Sequence, residues 1–362
     1  MLIFSLLLIA ACLYGMKIAV GDGKIRKAPA GVIVDSENKW NDYLSKEKTG
    51  AIKGIFVIMV LVKHYTGYYV ANNAFDAAPK AFLSSFAQLV VTMFLFYSGY
   101  GIMESVKKKG GTYVKNLPVQ RILKLLFDFD LAVLVYFAAF TVKGNAIEIK
   151  RLVLSLLAWN DYGNSNWYIF AILCLYAFSF IAFSVPKKNH YVSASVVTVL
   201  CIAYFIVIKN FKDVPWYNTV ICYPLGIWYS LFREKIDRLV QRNTLSWLIS
   251  FAACAAVFAL TRFDKSEDSL IYEIGCIAFV LSVVFLSMKV SLDNKFLRKS
   301  GELVFGVYIL QKLPMLTLRG FGMLENHIYL SFVITFVLTF VMAIVYNCIT
   351  KLTGKLFAKF RI

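Results

Sequence analysis

The stretch AIKGIFVIMVLVKHYTGYYVA, residues 51–71, is long and apolar enough to cross a lipid bilayer as one α-helix. A helix that crosses a bilayer needs about 20 predominantly apolar residues. Blocks of this kind recur along the whole chain, so the sequence predicts an all-α bundle of about eleven transmembrane helices. The blocks lie at residues 2–20, 51–71, 82–104, 121–142, 166–185, 191–208, 216–232, 246–261, 269–288, 302–318 and 328–350.

The amino-acid composition excludes a soluble globular protein. Of the 362 residues, 59% are hydrophobic and 17% are charged, whereas soluble domains contain about 45–50% apolar and about 25% charged residues. The formal net charge is +18. In a membrane protein such an excess of Lys and Arg collects in the cytoplasmic loops, so we expect membrane lipids, and no nucleic acid, as partners.

The distribution of basic residues predicts how the chain crosses the membrane. One set of alternate loops, counted with Lys53, holds 27 Lys and Arg residues, and the other set holds 9. The positive-inside rule then places the N-terminus outside and the C-terminus in the cytoplasm of a multi-pass cell-membrane protein. We expect an N-terminal anchor and a basic cytoplasmic loop over residues 1–50, a membrane domain over 51–350, and a basic cytoplasmic tail over 351–362.

One segment between the predicted spans is too short and too charged to cross. Residues 146–165 read AIEIKRLVLSLLAWNDYGNS, in which apolar residues recur at helical spacing beside charged ones. Such a pattern is typical of an amphipathic helix that lies on a membrane surface. We expect it on the outer face, followed by a turn before the next span begins at Asn166.

The few cysteines and histidines narrow the chemistry. All seven cysteines lie inside apolar blocks without a CxxC pair, which indicates neither a disulfide framework nor a metal site. The three histidines are His64, His190 and His327. Only His64 falls within a predicted span, at a depth where ionisable side chains are costly and tend to mark function.

Lys53 and His64 are eleven positions apart in the predicted span 51–71. Eleven residues correspond to roughly 16 Å along a helix and to three turns within about 20°, so we expect both side chains to face one cavity. His64 is then a candidate general base or nucleophile, because a neutral imidazole accepts a proton near pH 7. The alternative is a histidine held by hydrogen bonds to a neighbouring helix.

Three further cations lie within or beside the predicted spans. Lys63 is expected either to act in catalysis or to pair with Asp128 or Asp130, which lie at a similar depth. Arg121 and Lys124 occupy one helical face at positions i and i+3. They indicate either ordinary positive-inside topology or a cytoplasmic phosphate site, in which Arg121 provides a bidentate contact that lysine cannot.

Six segments together resemble the acyltransferase 3 family of membrane acyltransferases, in the family's order across residues 50–350. The first resembles the family's opening motif, in which a basic residue is followed by ten residues and then by histidine. The others resemble its aromatic-rich, basic and C-terminal signature segments. The six are KGIFVIMVLVKH at 53–64, FLFYSGYGI at 94–102, VQRILKLL at 119–126, NWYIFAILCLY at 166–176, PLGIWYS at 224–230 and KSGELVFGVYILQKLP at 299–314.

The resemblance implies a ten-span acyltransferase core, with block 2–20 as an added anchor span. It implies transfer of an acyl group, such as acetyl, from cytoplasmic acyl-CoA to a hydroxyl of a cell-surface or exported carbohydrate, without a metal. His64 would be catalytic. The implied donor-binding residues are Lys53, Arg121 and Lys124, and the implied substrate-binding residues are Ser98, Asn166, Trp167, Tyr168, Tyr308 and Gln311.

The chain departs from the family pattern at three positions. Gly50 stands where an Asp is common, Lys53 stands for the usual Arg, and Gln311 stands for a usual late His. Trp167 and Tyr168 also suit an ordinary interfacial aromatic belt. A transporter or flippase of lipid-linked sugars is the alternative function, although the sequence lacks the internal repeats typical of transporters.

Overall fold

The fold is a bundle of α-helices, seen in a computed structural model that describes residues 1–18, 33–34, 40, 42–86, 88–184, 189–263, 266–292 and 294–360. The predicted all-α membrane bundle is confirmed. Most of the predicted loop 21–50, part of the loop 186–190 and the last two residues lie outside the described residues. The helices are α1 Leu2–Leu13, α2 Lys46–Thr66, α3 Ala74–Phe86, α4 Leu89–Leu117, α5 Lys124–Val142, α6 Ile149–Leu156, α7 Trp167–Ser184, α8 His190–Ile208, α9 Cys222–Val240, α10 Thr244–Thr261, α11 Leu270–Lys289, α12 Lys295–Glu302, α13 Val304–Leu310, α14 Lys312–Gly320, α15 Met323–Asn326 and α16 Ile328–Ala358.

Seven helical stretches of the described chain are long and apolar enough to cross a membrane. One of them, Leu89–Val142, joins α4 and α5 through the π-helical turn Pro118–Leu123 and is 54 residues long. A single crossing needs only about 20 residues, so this stretch is long enough for two. The predicted number of eleven spans stays a prediction. The seven stretches are Lys46–Thr66, Leu89–Val142, Trp167–Ser184, His190–Ile208, Thr244–Thr261, Leu270–Lys289 and Ile328–Ala358.

The first predicted span differs from the helix that forms there. Helix α1 has 12 residues, which is roughly 18 Å and too short to cross a bilayer alone. The side-chain amide of Asn294 donates to the carbonyls of Ala11 and Tyr14 and so completes the end of α1. Beyond it, the strand β1, Lys17–Ile18, pairs with two other short strands, β2 Ile33–Val34 and β3 Val290–Ser291.

The predicted span 302–318 is broken into α13 and α14 at Gln311. Pro314 explains the break, because proline has no N–H to donate to the carbonyl of Leu310. Gln311 lies at this break with its side chain fully buried, and its side-chain amide donates to the carbonyl of Tyr308 at 2.9 Å.

Glycines in the motif segments allow helices to cross at backbone distance. A Cβ atom at Gly99 would overlap the carbonyl oxygen of Tyr223, and one at Gly226 would overlap that of Phe96. Helices α4 and α9 therefore touch backbone to backbone where both segments contain glycine. Gly54 plays the same part between α2 and α12, since its Cβ would overlap the carbonyl of Leu297.

Candidate functional site

A cavity of about 800 Å³ lies among α2, α4, α7 and the α12–α13 segment. Along α4 its lining runs from Val91 to Lys108, a length of roughly 25 Å at 1.5 Å per residue. The ring of Phe94 contacts that of Tyr168, with centroids 6.3 Å apart. The cavity therefore extends from a region rich in cations to a region rich in tyrosines.

Four cations line one end of the cavity, here called the basic end: Lys46, Lys53, Lys108 and Arg121. Among the described residues, none of the four makes an ion pair with a carboxylate. Lys53 lies close enough to Arg121 and Lys46 for their charges to act on it. Like charges gathered without a counterion favour the binding of an anion.

The two carboxylates that line the cavity leave this positive charge in place. Glu104 forms an ion pair with Lys107 and accepts a hydrogen bond from Ser230 at 2.8 Å. Glu302 pairs with Lys299 at 3.3 Å. Both carboxylates therefore have partners of their own outside the lining, and the basic end keeps its excess of cations.

Local helix geometry explains which cations reach the cavity. Lys46, Thr49 and Lys53 lie at positions i, i+3 and i+7 of α2, so they share one helical face and all three line the cavity. Arg121 lies in the π-helical turn Pro118–Leu123, where its Nε donates to the hydroxyl of Tyr113 at 3.4 Å. Such turns change the direction of side chains and are frequent at functional sites.

Tyr168 and Tyr308, here called the tyrosine pair, line the cavity away from the basic end. Their rings meet edge to face with centroids 5.6 Å apart. The hydroxyl of Ser98, which also lines the cavity, approaches that of Tyr168. The structure thus brings together three of the residues predicted to bind substrate.

His64 lies behind the tyrosine pair and is not part of the cavity lining. Its imidazole lies beside the side chain of Gln311, which is hydrogen-bonded to the carbonyl of Tyr308. Buried Val57 and Val60 occupy the turns of α2 between Lys53 and His64. The expected single cavity shared by Lys53 and His64 is therefore divided, with Lys53 on the lining and His64 one layer of side chains away.

The surroundings of His64 are polar and only partly satisfied. The Nδ1 atom of His64 and the Oε1 atom of Gln311 have no hydrogen-bond partner among the described residues. The charges of Lys63 and Lys312 are near enough to act on the imidazole. Buried polar groups without partners are rare in proteins, and here two of them, one on His64 and one on the neighbouring Gln311, lie side by side.

Lys124 and Asn166 have structural partners. Lys124 forms an ion pair with Asp128, whose other oxygen accepts from Thr353 at 2.6 Å, and Lys124 is absent from the cavity lining. Asp128 is therefore paired with Lys124 and not with Lys63. The Asn166 amide donates to the carbonyls of Ala158 and Asn160, so it fixes the loop before α7.

The remaining predicted positions are distributed around this site. Trp167 packs edge to face on Tyr168, with centroids 6.0 Å apart. The predicted amphipathic segment 146–165 contains α6, and Arg151 from that helix donates to the carbonyl of Asp161 at 2.8 Å. These contacts hold the loop that leads into the first turn of α7.

Sequence reasoning missed two of the four cations at the basic end, Lys46 and Lys108. A signal for Lys46 was present, because it precedes Lys53 by seven residues and so shares its helical face. Lys108 is one of three consecutive lysines, and a run of identical residues does not show which of them faces inward.

The chain matches the sequence model of a known family, described as an acyltransferase domain, over residues 50–350. No curated protein and no solved structure gives a significant match to the chain. The matched range covers most of the chain and contains the basic end, the tyrosine pair and His64. The chain therefore belongs to the acyltransferase 3 family of membrane acyltransferases.

Proposed function

We propose that this protein transfers an acyl group, such as acetyl, from acyl-CoA to a hydroxyl of a cell-surface or exported carbohydrate. The observation that carries the proposal is the basic end of the cavity, where four cations lack carboxylate partners among the described residues. An acyltransferase needs a donor, and acyl-CoA is a donor that carries several phosphate charges.

The basic end supports binding of the phosphates of acyl-CoA. Phosphate accepts charge-assisted hydrogen bonds from Lys and Arg, and Arg121 offers the planar fork that fits two phosphate oxygens. Lys46, Lys53 and Lys108 add single charges around it. In the orientation expected from the positive-inside rule this end faces the cytoplasm, where acyl-CoA is made.

The length of the cavity supports a path for the thioester arm. From Lys108 the lining of α4 continues to Phe94 and Val91, beside the tyrosine pair. An extended donor anchored at the basic end would place its thioester near Tyr308. One helical turn beyond Tyr308 lies Gln311, and beside Gln311 lies His64.

His64 would act as the general base in this reaction. The hydroxyl oxygen of the acceptor attacks the thioester carbonyl carbon while its proton passes to the imidazole. The C–S bond then breaks, and the CoA thiolate leaves and takes that proton from the imidazolium, which returns His64 to its neutral form. The unpartnered Nδ1 of His64 is free to receive that proton. The carbohydrate would approach from the side of Lys63 and Lys312, since the donor fills the cavity.

The direct test uses purified protein in detergent with radiolabelled acetyl-CoA and a cell-envelope glycan fraction. We expect release of CoA thiol and appearance of label in the glycan, both slowed at least about 10²-fold by His64→Ala. Lys115→Ala is the matched control, because Lys115 is exposed and lies outside the lining of the cavity. Binding of acetyl-CoA without thiol release or label transfer would contradict the proposed activity.

A further inference from the structure

The first turn of α7 presents backbone donors to the cavity. The earliest amide of α7 bonded to the preceding turn is that of Phe170, which donates to the carbonyl of Asn166 at 3.0 Å. Within the described residues, the N–H groups of Trp167, Tyr168 and Ile169 donate to no backbone carbonyl, and that of Tyr168 lies at the hydroxyl of Tyr308. Tyr168 and Ile169 line the cavity. The amino end of an 18-residue helix therefore borders the cavity with amides that have no backbone acceptor and with the positive end of its dipole.

A second and independent observation is the buried hydroxyl of Tyr308. Tyr308 is only 5% exposed, and its Oη has no hydrogen-bond partner among the described residues. This hydroxyl lies close to the backbone N–H of Tyr168 and to the hydroxyl of Ser165, which also lacks a partner. A buried hydroxyl without a partner costs free energy, which indicates that a polar group fills this place when ligand binds.

The chemistry of the place favours an anion. Backbone N–H groups only donate, and a tyrosine hydroxyl donates readily to a negatively charged oxygen. Of the carboxylates of the described cavity lining, Glu104 lies six residues from Ser98 on α4, roughly 9 Å along the helix, and pairs with Lys107. Glu302 lies on α12 and pairs with Lys299. Among the described residues, the region therefore combines donors with no unpaired lining carboxylate.

The position of the α7 amides and the Tyr308 hydroxyl relative to His64 identifies the anion that they would bind. Tyr308 lines the donor cavity, and its carbonyl holds Gln311, which lies against His64. Tyr308 therefore lies next to the α7 donors on the lining and is connected through Gln311 to the proposed base. In acyl transfer, the group that becomes negative beside the base is the carbonyl oxygen of the thioester.

We propose that the N–H groups of Tyr168 and Ile169 and the hydroxyl of Tyr308 form the oxyanion hole of the reaction. When the acceptor oxygen bonds to the carbonyl carbon, the π electron pair of the C=O bond moves to its oxygen, which these three donors bind. When the C–S bond breaks, the pair returns to the carbonyl and sulfur leaves with the C–S electrons. The inference rests on the proposed function, which supplies the thioester.

The test compares Tyr308→Phe with Tyr272→Phe. Tyr272 is 4% exposed and has an unpartnered hydroxyl among the described residues, but it belongs to α11 and lies outside the cavity lining. Loss of one oxyanion donor costs about 10²–10³ in turnover. We expect kcat for transfer from acetyl-CoA to the glycan fraction to fall by that factor in Tyr308→Phe and by less than about threefold in Tyr272→Phe. The Kd of acetyl-CoA should stay within about twofold in both.

A second measurement reports on the carbonyl of the bound donor and not on turnover. The infrared stretch of ¹³C-labelled carbonyl in acetyl-CoA should move to lower frequency when the donor binds to the wild-type protein, because hydrogen bonds polarise the C=O bond. Tyr308→Phe should reverse part of that shift and Tyr272→Phe should not. Absence of the shift in wild type, or equal kcat in wild type and Tyr308→Phe, would overturn the oxyanion hole while leaving the acyltransferase activity intact. If wild type itself released no CoA thiol, the proposed function would fail first.

Discussion

The ammonium of Lys53 and the guanidinium of Arg121 share one wall of the cavity, near enough for each charge to act on the other. They come from different helical segments, α2 and the π-helical turn after α4. Neither forms an ion pair with a carboxylate of the described chain. Two cations held together in this way disfavour the empty site, so binding of an anion there relieves their repulsion.

Replacing Arg121 by alanine tests this relationship. A charge-assisted hydrogen bond is worth about 1.5–3 kcal/mol, so Arg121→Ala should weaken acetyl-CoA binding by about 10- to 150-fold. Lys53→Arg should bind at least as well as wild type, because it keeps the charge and adds the guanidinium fork. Equilibrium binding of labelled acetyl-CoA in detergent measures both, with Lys115→Ala as the control. Unchanged affinity in Arg121→Ala would show that the cations of the basic end do not bind the donor and reflect only the positive-inside rule.

Much of this site follows from the periodicity of the sequence. Three sequence features each indicated a residue that lines the cavity: the spacing between Lys53 and His64, the basic segment at Arg121 and the aromatic segment at Tyr168. Helical periodicity shows which residues share a face. It therefore predicts which residues line a cavity where the lining depends on the face of a single helix.

The separation of His64 from Lys53 could not be predicted in the same way. Both residues share a face of α2, but the contacts of that face depend on how α13 packs. Tyr308 of α13 lines the cavity, and its carbonyl accepts a hydrogen bond from Gln311 beside His64. The partner of Lys124 is likewise decided by local pairing, since Asp128 lies four residues away on the same helix. Helical periodicity predicts which face of a helix a residue occupies, but the packing of neighbouring helices decides what that residue contacts.

Helix packing at α2 gives a prediction of stability with an internal control. A Cβ atom at Gly54 would overlap the carbonyl of Leu297, whereas one at Gly50 meets no atom within 4 Å. Gly54→Ala should therefore destabilise the protein by about 1–3 kcal/mol through overpacking. Gly50→Ala should be neutral or stabilise it by up to about 1 kcal/mol, because alanine favours helix. Thermal unfolding in detergent compares the two, and equal stability would contradict the close crossing of α2 and α12.

The predicted orientation can be tested by cysteine labelling in intact cells. Lys235 lies at an exposed position near the end of α9, and Lys143 lies at an exposed position between α5 and α6. The positive-inside rule places the first in the cytoplasm and the second outside. In a background with Cys348→Ser, an impermeant thiol reagent should label Lys143→Cys and spare Lys235→Cys. The reverse pattern would put the basic end outside and remove cytoplasmic acyl-CoA as its ligand.

The assignment of His64 as the base gives the last prediction. General acid–base catalysis commonly contributes 10²–10⁴-fold to turnover, so His64→Ala should lose at least about 10²-fold of its turnover. Acetyl-CoA binding should survive, because His64 lies outside the cavity lining that holds the donor. His190→Ala and His327→Ala should retain most activity, since both residues are exposed at the starts of α8 and α16 and lie outside the cavity lining. Wild-type turnover in a folded His64→Ala protein would show that another group takes the proton, and would leave the unpartnered Nδ1 of His64 without a catalytic role.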